Sequence, residues 1–131
     1  MLTRRMFIKI IPFAATLPAV LTTLPARAKK VALSIAKIDA LKKVGGSTTL
    51  KIKGKKVLFI RDGDQSIKAV DPICTHRQCV VVYKPEKKII ECPCHSSAYQ
   101  LDGKNIFGPA PKPLKTYKAK LKKDKIILDL D

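Results

Sequence analysis

All four cysteines and both histidines of this 131-residue chain fall between positions 74 and 95, as Cys74-Thr75-His76-Arg77-Gln78-Cys79 and Cys92-Pro93-Cys94-His95-Ser96-Ser97. Each segment offers one thiol and one imidazole within ligand reach, as Cys74-x-His76 and Cys92-x-x-His95, with fifteen residues between His76 and Cys92. Thiolate sulfur and imidazole nitrogen are donors for borderline and soft metals. Two loops that each present one of both can grip a single tetrahedral zinc. They can equally hold a two-iron cluster, with the cysteines on one iron and the histidines on the other. Cys79 and Cys94 stand outside that four-residue set, and a zinc ribbon gives them no task.

The elements that must hold these loops read as short β-strands broken by turn residues, with no long helical periodicity. The body is therefore expected to be all-β. Strands are expected at residues 31–38, 48–53, 55–61, 67–70, 80–83, 88–91, 115–122 and 125–130. Gly54 is expected to close one hairpin and Lys123-Asp124 another, with Asp62-Gly63-Asp64 as a further turn and one helical turn at 39–43. With 46% apolar and 28% charged residues, the composition is that of one small globular domain with a short appendage, and excludes a disordered tail or a multi-span membrane protein. A domain of roughly 100 residues buries a modest core, so a staple is expected.

The appendage is the first 28 residues. Thr3-Arg4-Arg5-Met6-Phe7-Ile8-Lys9 precedes an apolar stretch, Ile10 to Leu24, and then Ala26-Arg27-Ala28. This resembles a twin-arginine export signal with a cleavage site after Ala28. Fifteen residues of helix span about 22 Å, short of the ~30 Å hydrocarbon core, and Pro12 and Pro18 interrupt it. Cleavage is thus favoured over retention as a membrane anchor. The domain is expected at residues 29–131, in the periplasm or on the outer face of the cytoplasmic membrane. Export also makes disulfides permissible. The chain carries 27 Lys and Arg against 10 Asp and Glu, a formal net charge of +17. Such a charge attracts anionic partners in general; a solvated surface is the plain reading and docking to an acidic cytochrome the sharper one.

Cys-Thr-His-x-x-Cys and Cys-Pro-Cys-His-x-Ser resemble the two boxes of Rieske iron–sulfur proteins. The resemblance extends to Ser97 and Tyr99, at the places where high-potential members carry cluster-contacting hydroxyls, and to Gly108-Pro109-Ala110-Pro111, which resembles their proline loop. The Cys79-Val80-Val81 continuation and the fifteen-residue gap look most like the branch serving cytochrome b/f complexes. This likeness implies a small antiparallel β-sandwich with a cluster-binding subdomain of two loops. It also implies one [2Fe-2S] cluster held by Cys74, His76, Cys92 and His95, a Cys79–Cys94 disulfide tying the loops, and hydroxyl donors from Ser97 and Tyr99 to sulfur. Two neutral imidazoles in place of two thiolates leave such a cluster less negative and readier to accept an electron, within about −150 to +300 mV.

The function implied is one-electron transfer as the iron–sulfur subunit of a quinol:cytochrome oxidoreductase. Cytochrome b, a c-type cytochrome and quinol are the implied partners, with His95 contacting the quinol. The alternative is a soluble exported carrier, or the small subunit of an oxidase such as arsenite oxidase. The low-potential ferredoxins of ring-hydroxylating dioxygenases lack the extra cysteines. Nucleic-acid binding by a zinc ribbon is opposed by the export signal. One departure stands out: Arg77-Gln78 occupies the place where quinol-oxidising members carry Leu-Gly.

Overall fold

A computed structural model describes residues 29–75 and 77–130. The export-signal reading of residues 1–28 lies outside the described residues. Ten strands form two antiparallel sheets, and the all-β expectation holds. Among the described residues the larger sheet holds six of them, β1 (Lys30–Ser34), β2 (Ser47–Ile52), β3 (Lys55–Gly63), β4 (Ser66–Val70), β9 (Thr116–Lys122) and β10 (Lys125–Asp129), in the order β1-β10-β9-β4-β3-β2. The smaller sheet orders β5 (Val82–Lys84), β6 (Ile89–Glu91), β7 (Ala98–Tyr99) and β8 (Asn105–Phe107) in sequence. Among the described residues no helix is long and apolar enough to cross a membrane.

Strand β3 explains how one sheet supports two cores. Its run Val57-Leu58-Phe59-Ile60 is buried throughout, where a half-exposed strand would alternate. Val57 and Phe59 face the first core with Ile67, Ala69, Ile126 and Leu128. Leu58 and Ile60 face the second, together with Val70, Val81, Ile90, Tyr99 and the two cysteines Cys74 and Cys92. The cysteine-bearing segments are thus bolted onto the outer face of β3 and β4 by the same apolar run that builds the main core.

The β2–β3 hairpin turns at Lys53 (φ 48°) and Gly54 (φ 82°), between the paired residues Ile52 and Lys55. Two successive positive φ values are what a tight two-residue hairpin with right-handed strand twist requires. The β9–β10 hairpin turns at Lys123-Asp124 as expected. Four strands and one turn differ from the sequence reading: β7 and β8 have no counterpart in it, and the turn expected at Asp62-Gly63-Asp64 lies at Asp64-Gln65, with Asp62 and Gly63 inside β3. β1 ends at Ser34 because the Ile35 N–H donates to the Asp124 carbonyl at 2.7 Å, and the chain then coils into short 3-10 turns at Ile35–Lys37 and Asp39–Leu41, burying Ile35 and Leu41. β5 begins at Val82, since Val80 makes only an isolated bridge with Ile73 beside the first loop.

Candidate metal centre

Two loops of matching backbone geometry carry the cysteines. In the first, the Cys74 N–H donates to the Cys79 carbonyl at 2.7 Å and the Gln78 N–H to the Cys74 carbonyl at 2.9 Å; Gln78 takes φ 57°. In the second, the Cys92 N–H donates to the Ser97 carbonyl at 2.7 Å and the Ser96 N–H to the Cys92 carbonyl at 3.0 Å; Ser96 takes φ 58°. Each loop therefore opens on a cysteine and closes through a left-handed residue four positions later. Such closure turns intervening backbone N–H groups inward, toward the first cysteine's sulfur. The N–H groups of Cys94 and His95 indeed donate to Cys92 Sγ, which favours its thiolate.

Cys79 and Cys94 join the loops in a disulfide with a Cα–Cα distance of 6.4 Å. Cys74 and Cys92 stay outside it, each about 1% exposed, and their side chains meet. Burial pushes the Cys92 thiol up, and the neighbouring Cys74 pushes it further, against the lowering effect of the two N–H groups. Two sulfurs packed together, buried and uncrosslinked, with amide donors aimed at one of them, could hold a cation as a pair of thiolates. The Cys92 sulfur also lies within 4.8 Å of both disulfide sulfurs. An oxidised pair offers no thiolate, so that trio is not a ligand set.

The hydroxyls follow. The Tyr99 hydroxyl, wholly buried, lies 3.3 Å from Cys74 Sγ and 3.3 Å from Thr75 Oγ1. Thr75 spends its own proton on the Lys112 carbonyl at 2.7 Å, and between the phenol and the Cys74 thiol either can donate to the other. Burial first, and then the Cys74 thiol, hold the Tyr99 phenol above its ordinary pKa, so it keeps its proton for donation. Ser97 is fully buried, and its Oγ accepts from the Ala110 N–H at 3.2 Å.

The segment Gly108 to Pro113 is clamped over the loops from three sides. Ser97 holds Ala110, Thr75 holds Lys112, and Asn105 Nδ2 donates to the Ala110 carbonyl at 2.9 Å and the Lys112 carbonyl at 3.1 Å. Gly108 (φ +101°) lies so close that a Cβ there would meet the Ser97 Cα at 2.5 Å. Thr75 and Asn105 were not among the residues singled out from sequence; both act on backbone carbonyls, which leave no side-chain partner to notice. The structure brings together Cys74, Cys92, Ser97 and Tyr99. His95 sits exposed on the second loop, and His76 lies outside the described residues. Arg77 is exposed beside it.

Comparison with known proteins agrees with this geometry. The model of the Rieske [2Fe-2S] domain matches residues 32–118. The cytochrome b6-f complex iron-sulfur subunit of Chlorobaculum tepidum is 44% identical over 75 residues, which are 57% of this chain and 41% of that protein. The cytochrome b6-f complex iron-sulfur subunit 1 of a Nostoc species is 34% identical over 99 residues, 73% of this chain and 55% of its own length. The chain thus spans about half the length of the curated relatives it matches. Among solved structures, the plasma membrane Rieske protein of Synechocystis PCC 6803 is similar at TM-score 0.63 and 29% identity, covering 76% of this chain and 98% of that one. The ferredoxin of carbazole 1,9a-dioxygenase from Nocardioides aromaticivorans is similar at TM-score 0.64 and 26% identity, covering 77% and 99%.

Proposed function

Because this chain belongs to the Rieske [2Fe-2S] domain family, a family that binds one [2Fe-2S] cluster, we propose that Cys74, His76, Cys92 and His95 hold that cluster. We further propose that the protein transfers single electrons as the iron–sulfur subunit of a quinol:cytochrome oxidoreductase. The observation that carries the reading is the pair of buried, uncrosslinked thiols Cys74 and Cys92, on matching loops locked by the Cys79–Cys94 disulfide. When bound, the cluster supplies a one-electron redox couple, and a histidine-ligated one lies between about −150 and +300 mV.

The chain's own residues set where in that range it falls. Tyr99 and Ser97 donate toward sulfur and stabilise added negative charge, raising the potential. Replacing Tyr99 by Phe, or Ser97 by Ala, is expected to lower the potential measured by voltammetry while leaving iron content intact. A potential unmoved in both variants would remove these hydroxyls from the site. The proline-rich segment clamped by Thr75, Asn105 and Ser97 excludes water from one side, which strengthens every such interaction.

His95 is exposed on its loop, and in this reading, ligated through one ring nitrogen, it offers the other to the quinol. Proton and electron are then taken up together. The potential is expected to fall as pH rises, because added negative charge favours the protonated ring. The slope approaches about −59 mV per pH unit where one proton accompanies one electron, the one-electron value. A potential independent of pH from neutral to alkaline solution would reject histidine ligation with a free ring nitrogen.

Cytochrome b as donor side and a c-type cytochrome as acceptor are the partners proposed, on the names of the curated relatives, in a domain carried outside the cytoplasmic membrane by a twin-arginine signal in residues 1–28. Co-purification of the native protein with a b-type cytochrome is the test, and isolation of a loaded, partnerless protein would overturn it. That outcome would favour the second reading, a stand-alone carrier or small oxidase subunit. One observation supports it: the match spans 98% and 99% of the two solved chains, so the domain makes up nearly all of each of them.

A further inference from the structure

The larger sheet has two unlike outer halves. The half formed by β3 and β4 is covered by the metal-binding subdomain through Leu58, Ile60 and Val70. The half formed by β1, β10 and β9 is open, and its register puts lysines in rows. Lys30 is opposite Asp129, which is opposite Lys118; Ile127 is opposite Lys120; and Lys125 is opposite Lys122. Residues opposite in register share a face, and Lys30, Lys118, Lys120, Lys122 and Lys125 are all exposed on this one. Lys68 on β4 borders the same surface beside Lys118 and Lys120. Asp129 is the single acid among these residues. Asp39, Glu91 and Asp102 are engaged elsewhere on the domain, with Lys42, Lys87 and Lys104.

Like charges directly across strands, as at Lys122 and Lys125, disfavour the sheet. Neither the packing of the first core nor the metal centre requires them, since Leu121, Ile126 and Leu128 on the alternate face do the packing. We propose that this open face is a docking surface for a lipid bilayer rich in anionic headgroups.

Three features favour a bilayer over an acidic protein. The charges are lysines, compact ammonium groups on flexible stems, with no arginine on the face to fork onto a particular carboxylate. They are spread along three adjacent strands of an open sheet face, which suits a delocalised plane of charge more than a pocket. And β1, the edge strand of this face, starts at Lys30, while the apolar run of the sequence ends at Leu24. Until residues 1–28 are cleaved, the six residues 25–30, at most about 20 Å long, hold the lysine face within one short tether of any bilayer that takes up that run. This proposal stands apart from the redox reading, and it makes no use of the cluster or its partners.

The test is co-sedimentation of the full chain with vesicles of phosphatidylcholine alone and of phosphatidylcholine with roughly one third phosphatidylglycerol, where each basic residue near an anionic leaflet contributes about fivefold. The apolar segment partitions into both vesicles, so the difference between them isolates the charge effect. Tighter binding to the anionic vesicles is expected, weakening as salt rises. Changing Lys118, Lys120 and Lys122 together to Gln is expected to remove that preference by on the order of a hundredfold. A control changing Lys43, Lys51 and Lys53 to Gln, at the same cost in net charge, is expected to retain most of it. Circular dichroism confirms that both triple variants are folded. Equal loss in both variants would show diffuse attraction and overturn the proposal. So would indifference to phosphatidylglycerol, or retention of polyglutamate but not of vesicles by this face, which would assign it to an acidic protein.

Discussion

Cys74→Ala and Cys92→Ala are each expected to reduce iron in the purified protein to background, with loss of its visible absorption. The two sulfurs meet in a pocket that is about 1% exposed, and in the proposed arrangement they share one iron. With either one removed, that iron keeps a single protein thiolate, and the histidine loops have no rigid centre to close on. The control is Tyr99→Phe, which touches the same sulfur through its hydroxyl at 3.3 Å but supplies no ligand, and it should retain full iron. Removing a ligand also removes the cation that makes a buried thiolate pair tolerable, so the remaining cysteine reverts to a buried neutral thiol, the form that burial favours at Cys92. A Cys92→Ala protein that still carries a full complement of iron would show that the loops hold it by other residues.

The second large effect is expected from Cys79→Ser with Cys94→Ser. The disulfide closes a loop across a sequence separation of 15, and cross-linking over that length restricts the unfolded chain by about 3 kcal/mol. For a domain of this size that is a fall in Tm on the order of 10–20 °C. The four proposed ligands are untouched, so iron should still be incorporated. It should be lost faster, because the bridge is the covalent tie between the two cysteine loops, beyond their shared packing against β3 and β4. Thermal melts and the rate of iron release to a chelator measure the two consequences. Melting that is identical in the double variant and the parent would mean that the apolar contacts of Cys74, Val81, Ile90 and Cys92 alone set the stability of the subdomain.

How much of this could be read from sequence differs between elements. The strand at 55–61 is plain because the apolar run Val57–Ile60 with its β-branched members suits a strand, whereas its burial on both faces emerges only from the two cores packed against it. The Gly54 and Lys123-Asp124 turns are plain because hairpin geometry selects their residues. β7 and β8 went unread: Ala98–Tyr99 is two residues long, and Asn105–Phe107 is exposed along its length. They exist because β6 and the second core hold them in register, and no local pattern marks that. β1 ends four residues earlier than the alternation suggests, since Ile35 alternates correctly in sequence yet turns inward where its amide meets the Asp124 carbonyl.

At the site, the clustering of cysteine and histidine is legible because metal ligands are chemically distinctive and close in sequence. The clamp over them is not. Thr75 reaches a carbonyl 37 residues away and Asn105 one 7 residues away, and threonine and asparagine in such places look like ordinary loop residues. The equivalence of the two loops was equally hidden, because it lives in backbone hydrogen bonds and in the left-handed residues Gln78 and Ser96, neither of which is glycine.

The central claim is the identity of what these loops hold, and metal and sulfide analysis of protein assembled in its native host tests it most directly. A single [2Fe-2S] cluster requires two irons and two acid-labile sulfides per chain, lost together in the Cys74 and Cys92 variants. One zinc per chain with no labile sulfide would contradict it.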